Sequence, residues 1–308
     1  MNRLKTARIV CSLFPPVLSQ QLRNRIFPLH EGVKMNMDFD MRSITGSIFS
    51  GNTLDYHSYR FAVHGFFEWR NIVIARFFTS GKPGDIIEIG ANVGTETLSY
   101  CDLLKGKGTV HAFEPLPDNI RLLDRMKKRL PNLRIYHNAI SDREMDVAFQ
   151  IPPKTASGMG KIVLGANSAD ENITSVKAVP LDNFSDFTNV RFMSIDTEGH
   201  EPFVLAGSRK VIEKHQPAIV IEVSPKLLHR FADATIADIH NYFIGLDYSC
   251  FKIKTFALAE ISDADLQDQV SHNWLCIPYK MKPQIPKLSR GLFIRMVVPW
   301  YLLPKLAR

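Results

Sequence analysis

The chain has 308 residues, 45% of them hydrophobic and 22% charged, a composition typical of a globular protein with a large buried core. It has no run of about 18 apolar residues, and prolines interrupt the apolar patch near its start, so we expect neither a spanning helix nor a signal peptide. The four cysteines form no Cys-x-x-Cys pair, which excludes a zinc ribbon and is typical of a cytoplasmic protein.

The net charge of +7 is concentrated at the two ends of the chain. Residues 1–30 hold five basic and no acidic residues, and residues 281–308 hold six basic and no acidic residues. The residues between them therefore have a net charge of −4. Because nucleic-acid-binding domains carry their positive charge on the folded core, we expect no nucleic-acid partner.

Apolar runs that are typical of strands alternate with helical patterns between about residues 84 and 224. In chain order they are DIIEI, the helical TETLSYCDLLKG, GTVHAF, the helical PDNIRLLDRMKKRL, LRIYHNAI, RFMSID, the helical PFVLAGSRKVIEKH and PAIVIEV. Alternation of this kind predicts an α/β fold with a Rossmann-like, doubly wound and mostly parallel sheet. A Gly/Ser/Asn-rich stretch at 157–175, between VAFQI and VKAVPL, predicts an inserted hairpin or a mobile loop.

A glycine-rich turn follows the first of these strands in the sequence EIGANVG. Ligands of open α/β sheets bind beyond the carboxyl ends of the strands. Gly90 would permit a sharp turn there, and Gly94 would let the next helix begin close to a ligand. Glu114 ends the second strand twenty residues later and can accept hydrogen bonds from both ribose hydroxyls of an adenosine-containing cofactor.

The turn fits S-adenosylmethionine better than a dinucleotide. The dinucleotide fingerprint needs glycines where this chain has Asn92 and Thr95, and a pyrophosphate requires those glycines for close backbone approach. S-adenosylmethionine has no pyrophosphate and presents an amino-acid tail, which suits Asn92, Thr95 and an acid at Glu88 facing the ammonium. A glutamate at the sheet rim without a ligand is the competing interpretation of Glu88.

A second group of polar residues lies in SIDTEGHEPFVLAG, where a strand gives way to a helix. Asp196, Glu198 and His200 would surround the reacting methyl group if this strand neighbours the first, and Glu222 ends the next strand at the same edge. A carboxylate or imidazole there could remove a hydroxyl proton from an acceptor. Helix capping is the alternative interpretation of these residues. For Glu201, capping and a role in the site are equally good interpretations. His200 could instead be a solvent-facing polar residue.

At this point the chain resembles the FkbM-type S-adenosylmethionine-dependent methyltransferases. The resemblance covers about residues 50–280 and rests on GNTLDYHSYRFAVHGFFEW, IIEIGANVGTETL, FEPLPDN, NAISD, LDNF, FMSIDTEGHEPFVLAG, IVIEV and NWLCIP. It implies a class I methyltransferase fold that methylates hydroxyls of sugars, glycolipid precursors or related natural products. It also implies cofactor contacts at Glu68, Glu88, Gly90, Asn92, Gly94 and Glu114, with Ser141 and Asp142 near the adenine.

We therefore expect an O-methyltransferase with a small-molecule or glycan acceptor. An NAD-dependent oxidoreductase and a non-catalytic methyltransferase-like protein remain as alternatives. We assign no metal, although oxygen ligands at Asp196 and Glu222 leave a Mg²⁺-assisted variant open. We divide the chain into a basic N-terminal extension (1–49), a methyltransferase domain that begins with a helical lead-in (50–280) and a basic hydrophobic tail (281–308).

The tail KLSRGLFIRMVVPWYLLPKLAR interleaves basic residues with apolar and aromatic ones. Basic residues beside Trp300 and Tyr301 suit the interface between water and an anionic bilayer, at the inner face of a membrane. Packing of the tail on the core, or pairing of two subunits, is the alternative that we favour slightly. The sequence leaves the oligomeric state open.

Overall fold

The computed structural model describes residues 3–163, 171–299 and 302–303, and a central sheet of eight strands organises them. The strands are β1 (Asp38–Arg42), β2 (Ile48–Asn52), β3 (Ile86–Ile89), β4 (Val110–Phe113), β5 (Leu133–Tyr136), β6 (Ala139–Ile140), β7 (Met145–Gln150), β8 (Lys161–Ile162), β9 (Ile173–Val179), β10 (Phe192–Ile195), β11 (Ala218–Val223), β12 (Tyr248–Ile253), β13 (Leu258–Glu260) and β14 (His272–Pro278).

Helices cover both faces of that sheet. They are α1 (Arg3–Ser12), α2 (Pro16–Ile26), α3 (Leu29–Met35), α4 (Tyr56–His64), α5 (Trp69–Thr79), α6 (Thr97–Leu104), α7 (Pro117–Lys127), α8 (Glu201–Ala206), α9 (Arg209–His215), α10 (Pro225–Ala232), α11 (Ile236–Ile244) and α12 (Ile285–Val297). Short 3₁₀ helices occur at Ser157–Met159, Leu181–Asn183, Asp265–Gln267 and Tyr279–Gln284. Among the described residues, none of the helices combines the length and the apolar character that crossing a bilayer requires.

The order of strands in the central sheet is β13–β12–β14–β11–β10–β3–β4–β5. The five strands from β11 to β5 are parallel, and β14 runs antiparallel to both of its neighbours. IIEI of β3 and FMSI of β10 are buried throughout, as expected of parallel strands covered on both faces. The predicted doubly wound, mostly parallel sheet is thereby confirmed.

The chain reverses its direction of strand addition between β3 and β10. After β3 it adds β4 and β5 on one side, and it then returns to add β10 and β11 on the other. Ile89 pairs with Ile195, so β3 and β10 end at the same level. The segments that follow these two strands therefore meet at one edge of the sheet, the place where such folds bind ligands.

Two of the predicted elements are wrong. The run LRIYHNAI is two strands, because β5 loses its partner where β4 ends at Phe113 and the chain then joins β9 through β6. The predicted helix PFVLAGSRKVIEKH is divided into α8 and α9. The break lies at Gly207, where the chain passes close to the backbone of Ser141. A Cβ atom on Gly207 would lie 1.9 Å from the carbonyl oxygen of Ser141, so the break occurs where only glycine can pack against this carbonyl.

The predicted insertion forms a second sheet with the strand order β6–β9–β7–β8. Strands β7 and β9 pair antiparallel from Met145 with Ala178 to Gln150 with Ile173, which confirms the hairpin. β8 lies in the connection between them, and residues 164–170 of that connection are outside the described residues. The insertion thus places a small sheet next to the ligand-binding edge.

The two ends of the chain pack on the core. α1 contacts α2 and α4, and α12 contacts α2 and α5. α12 buries Ile285, Leu288, Leu292 and Met296, so this part of the tail packs as our favoured alternative expects. The predicted interface residues Trp300 and Tyr301, and the bases Lys305 and Arg308, lie outside the described residues. Strand β2 crosses the boundary that we predicted between residues 49 and 50.

Candidate functional site

The turn after β3 requires glycine at its first position. Gly90 has a φ of 87°, and a Cβ atom there would lie 1.9 Å from the carbonyl oxygen of Asp196. Any side chain at Gly90 would therefore push apart the segments that follow β3 and β10. Gly94 also has a positive φ. A Cβ atom added there would meet the side chains of Met126 and Leu123, so Gly94 packs against α7 and does not face the cavity.

Glu114 joins the end of β4 to this turn. Its side chain is 4% exposed, and it accepts hydrogen bonds from the backbone N–H of Asn92 (2.8 Å) and of Leu116 (2.9 Å). Burial raises the pKa of Glu114, and these hydrogen bonds oppose that shift. The carboxylate therefore holds the glycine-rich turn and the start of α7 in place, and it also faces the pocket between them.

The pocket lies beyond the carboxyl ends of β3, β4 and β10. One part of its wall is apolar and comes from Ile89, Phe113, Leu116, Ile140, Phe149 and Ile162. Another part is polar and comes from His57, Asn92, Glu114, Asn119, Asn138, Asp196, Glu198 and His200. The inserted sheet supplies Phe149 and Ile162, so it forms one wall of the pocket.

Three carboxylates converge at the end of the pocket that β10 and β11 form. Asp196, Glu198 and Glu222 each offer an oxygen, and these three oxygens all lie within 4.8 Å of one another. Asp196 and Glu198 line the pocket, whereas Glu222 lines an adjoining groove with Glu68. Carboxylate oxygens so arranged could hold a divalent cation, and the absence of a metal stays a prediction.

The convergence changes the acidity of all three groups. Desolvation, then the charge of Asp196, raises the pKa of Glu198 to about 7. Desolvation, then the charge of Glu198, raises the pKa of Glu222 to about 7. Desolvation within the cleft, then the charge of Glu222, raises the pKa of Asp196, although this residue is exposed at the surface of the cleft. The cluster can therefore hold or release a proton near neutral pH, which an isolated surface carboxylate cannot do.

Glu198 also has an unusual backbone. Its φ is 54°, in the left-handed region that non-glycine residues seldom adopt, and Gly199 follows with a φ of 102°. Glu201 supports this turn, because its Oε1 accepts hydrogen bonds from the N–H of Thr197 (3.0 Å), the hydroxyl of Thr197 (2.9 Å) and the N–H of Gly199 (3.3 Å). Glu201 thus acts as the cap of the turn that presents Glu198.

His200 is buried, so the solvent-facing interpretation of this residue is wrong. It is 4% exposed, its Nε2 lies 3.0 Å from the hydroxyl of Ser141, and its ring stacks on Phe203. Burial lowers the pKa of His200 to about 4, so the imidazole is neutral at neutral pH. Ser141 also contacts Asp142 (3.2 Å), and both lie behind the pocket wall.

Several predicted cofactor residues lie beneath or beside the pocket. Glu88 is 4% exposed, and its Oε2 accepts a hydrogen bond from the hydroxyl of Thr97 at 2.6 Å. Burial, then the charge of Glu96, raises the pKa of Glu88. Glu68 lies near Arg60 (3.5 Å) and Arg70 (3.8 Å). Glu68, Glu88, Gly94, Thr95, Ser141 and Asp142 are absent from the described residues that line the pocket.

Comparison with known families bears on one of the alternatives left open by the sequence, the dinucleotide-dependent oxidoreductase. The model of the methyltransferase FkbM domain matches residues 88–250, which is more than half of the chain and includes the end of β3, Glu114 and the carboxylate cluster. The chain belongs to the FkbM methyltransferase family. This membership favours methyl transfer over the dinucleotide-dependent oxidoreductase that we kept as an alternative.

Individual relatives of this FkbM-family chain are distant. The hexuronic acid methyltransferase AglP of Haloferax volcanii is 26% identical over 150 residues, which are 48% of this chain and 60% of AglP. A crystal structure of methyltransferase FkbM from Methylobacillus flagellatus KT is 17% identical, with a TM-score of 0.43. The match covers 84% of this chain and 60% of that chain. The chain thus spans 60% of the length of each. A crystal structure of M. jannaschii TYW2 in complex with AdoMet is 14% identical, with a TM-score of 0.38. The match covers 78% of this chain and 84% of that chain.

Residues of this FkbM-family chain that we did not predict also reach the pocket, from the lead-in and the insertion. His57, on α4, lines the pocket, and its Nδ1 lies 3.3 Å from the side-chain amide nitrogen of Asn92. Asp55 caps α4 through the N–H of Ser58 (2.8 Å) and accepts the N–H of Ser157 (3.0 Å). The sequence separation of 102 residues between Asp55 and Ser157 left no signal in the sequence.

Asn119 is a second missed residue. Its side-chain amide donates to the Oδ1 of Asn92 at 3.2 Å, and both residues line the pocket. The sequence contained a signal for this residue. Asn119 is the last residue of FEPLPDN, a motif that begins at Phe113, where β4 ends. An asparagine in the first turn of a helix beyond a strand end is a candidate ligand contact in such sheets.

Proposed function

We propose that the chain uses S-adenosylmethionine to methylate a hydroxyl group of a sugar or a related small molecule. The observation that carries this proposal is the position of the Asp196–Glu198–Glu222 cluster. The cluster lies beyond β10 and β11, next to the glycine-rich turn after β3. The chain that carries it belongs to a methyltransferase family. We also propose that residues 50–280 form the methyltransferase domain, which contains every described residue of the pocket wall.

The pocket fits the adenosine part of this cofactor. Glu114 lines it with a carboxylate that can accept further hydrogen bonds from ribose hydroxyls, since each of its oxygens has accepted one backbone N–H. The apolar wall formed by Leu116, Ile140 and Phe149 offers a slot for a flat base. Asn92 and Asn119 supply polar groups between these two regions.

The amino-acid end of the cofactor would lie towards the acidic cluster. Its ammonium group is a cation, and Asp196 and Glu198 give the neighbouring wall a negative charge when they are ionised. Glu88 is a weaker candidate for this contact, because it is 4% exposed and is not among the described residues that line the pocket. We therefore move the proposed ammonium contact from Glu88 to the cluster.

When it is bound, S-adenosylmethionine supplies a methyl group on a positively charged sulfur. Methylation of an acceptor hydroxyl would release the hydroxyl proton, and a residue of the site has to accept it. Asp196 accepts this proton, because desolvation, then the negative charge of Glu222 beside it, raises the pKa of its carboxyl group. Because the imidazole of His200 bonds Ser141 and its pKa is about 4, His200 positions the wall and is not the base.

The acceptor class rests on two observations. The similar protein AglP is named a hexuronic acid methyltransferase, which favours a sugar acceptor. A groove beside the carboxylate cluster is lined by Glu222, Lys252, His272 and Asn273, whose donors and acceptors suit a hydroxyl-rich molecule.

Methyl transfer to sugar acids by the full chain and by Asp196→Asn tests the proposal. We expect Asp196→Asn to lower turnover roughly 100-fold or more, the scale of a lost general base, with S-adenosylhomocysteine affinity within a few-fold of wild type. Asp182→Asn is the matched control, because Asp182 bonds the N–H groups of Lys210 and Val211 away from the pocket. Undiminished turnover in Asp196→Asn would make the residue a structural cap and move the base to Glu198.

A further inference from the structure

The two ends of the chain, far apart in sequence, form one exposed surface, which we define as the terminal face. Its first part is the outer side of α12, where Arg290, Phe293, Ile294 and Val297 follow the i, i+3, i+4, i+7 spacing of one helix face, with Lys287 one turn earlier. Phe293, Ile294 and Val297 are 47%, 39% and 43% exposed. This side is opposite the one that packs into the core.

The second part of the terminal face is the corner between α1 and α2. Ile9, Leu13, Phe14 and Leu18 are all exposed there, and Leu13 reaches 52%. Lys5 lies one turn before Ile9 on the exposed side of α1. Large apolar side chains therefore crowd a corner that, in a protein surrounded only by water, would be expected to carry polar residues.

These two parts adjoin each other. α2 contacts α12, and the inner sides of α1 and α12 pack in the same hydrophobic cluster, which includes Leu4, Cys11, Leu288 and Leu292. Because α2 contacts both α1 and α12, the exposed residues of the terminal face lie on three neighbouring helices. The ring of Phe256, 51% exposed, lies 6.3 Å from the ring of Phe293 and extends the apolar area.

We propose that the terminal face docks on the surface of an anionic lipid bilayer. The charge selects this occupant, because residues 1–30 and 281–308 contain no acid. Glu31 and Glu260, which lie outside these two segments, are paired with bases inside them, Glu31 with Arg3 and Glu260 with Lys282. Basic residues interleaved with exposed Phe, Leu and Ile are what an anionic interface attracts and what a peripheral helix inserts.

A second copy of the chain is a poorer occupant of the terminal face. A two-fold dimer through this face would place basic residues of one copy against those of the other. The exposed Lys5, Lys287 and Arg290 have no acidic partner among the described residues to offset that repulsion. Because the described helices include none that could span a bilayer, the proposed contact is peripheral.

Co-sedimentation of the full chain with phosphatidylcholine vesicles, with and without phosphatidylglycerol, tests this proposal. We expect binding only when phosphatidylglycerol is present, and we expect it to weaken as salt rises. Lys287→Gln with Arg290→Gln should lower the partition coefficient roughly 30-fold, since each base near an anionic surface contributes about a factor of five. Leu13→Gln with Phe14→Gln should lower it as well, without a change in salt dependence.

Ile244→Gln with Lys214→Gln is the matched control, an exposed apolar residue and an exposed base outside the terminal face. It should bind vesicles as wild type does. The charge variant alters only exposed side chains, so it remains informative if the apolar variant unfolds. Absence of vesicle binding by the intact chain would overturn the proposal, as would a concentration-dependent dimer in sedimentation velocity that the terminal-face variants abolish.

Discussion

At the scale of single residues, Glu114 combines two tasks in one buried carboxylate. It fixes the glycine-rich turn through the N–H of Asn92 and the start of α7 through the N–H of Leu116, and it faces the pocket at the position proposed for the ribose. A residue with both tasks should affect ligand affinity and local stability together. That differs from the simpler expectation that the fold would be indifferent to a residue at a strand end.

Glu114→Gln should weaken S-adenosylhomocysteine binding by about 1–3 kcal/mol, because an amide can accept only one of the two backbone hydrogen bonds and cannot serve both ribose hydroxyls. Titration calorimetry measures this change, and thermal unfolding should show a lower Tm. Asp118→Asn, an exposed acid four residues further along the chain, is the control and should leave both quantities unchanged. Wild-type affinity in folded Glu114→Gln would move the ribose site elsewhere.

The carboxylate cluster predicts how stability depends on pH. The ordinary pKa of Glu222 is 4.5, and desolvation with the charge of Glu198 raises it to about 7 in the folded chain. Between these two values the folded chain binds a proton that the unfolded chain has released. The free energy of unfolding therefore falls as the pH rises through this window.

Glu222→Gln should remove part of that fall. We expect the variant to match wild type near pH 5, where Glu222 is protonated, and to be about 1–2 kcal/mol more stable at pH 8, because solvent and the neighbouring acids absorb part of the effect. Urea unfolding at the two pH values measures it. Equal pH profiles for variant and wild type would show that Glu222 titrates normally.

At the scale of elements, the close approach between the ends of β3 and β10 builds the site. Only a glycine at position 90 allows the turn after β3 to lie against the carbonyl oxygen of Asp196. This contact holds Asp196 and the glycine-rich turn in one register, which is what a pocket between two strand ends requires.

Gly90→Ala should therefore lower the free energy of unfolding by about 3 kcal/mol or more, the sum of left-handed backbone strain and a clash with backbone that cannot move aside. Gly106→Ala is the matched control, since Gly106 also has a positive φ (75°) but no atom within 4 Å of the added Cβ. It should lose about 1 kcal/mol only. A similar loss in both variants, measured by urea unfolding, would refute the role of the close approach.

The sequence was sufficient to predict the elements with strong local patterns. Continuous apolar runs such as IIEI and FMSI specified the parallel strands, and their order along the chain specified the doubly wound sheet. It was insufficient where distant backbone decided the outcome. The break at Gly207 depends on Ser141, and the position of His57 depends on segments about 100 residues away, neither of which leaves a local pattern.

The site was predicted to the same extent and for the same reason. Acids at strand ends can be recognised in the sequence, because a charged residue directly after a buried apolar run is unusual and indicates a site. Asp196, Glu198 and Glu222 do converge in the structure. Glu88 lies inside its strand, so the pattern alone could not show that its Oε2 accepts a hydrogen bond from Thr97 and that the residue lies outside the pocket wall. Family motifs located the turn, but the burial of each side chain came only from the fold.

At the scale of the whole molecule, the lead-in and the insertion complete the pocket of the central sheet. Asp55 links them, since it caps α4 and accepts the N–H of Ser157. Burial alone would raise the pKa of Asp55, but its interaction with His57 and the two backbone N–H groups lower it to about 2. The link therefore stays charged above that pH and keeps His57 and the inserted segment together over the pocket.

The central claim is that this pocket binds S-adenosylmethionine and not a dinucleotide. Titration calorimetry of the full chain with S-adenosylhomocysteine and, side by side, with NAD tests it most directly. We predict saturable heat with one S-adenosylhomocysteine per chain and none with NAD, because Asn92 and Thr95 stand where a pyrophosphate needs glycine. Saturable binding of NAD with no response to S-adenosylhomocysteine would contradict the account.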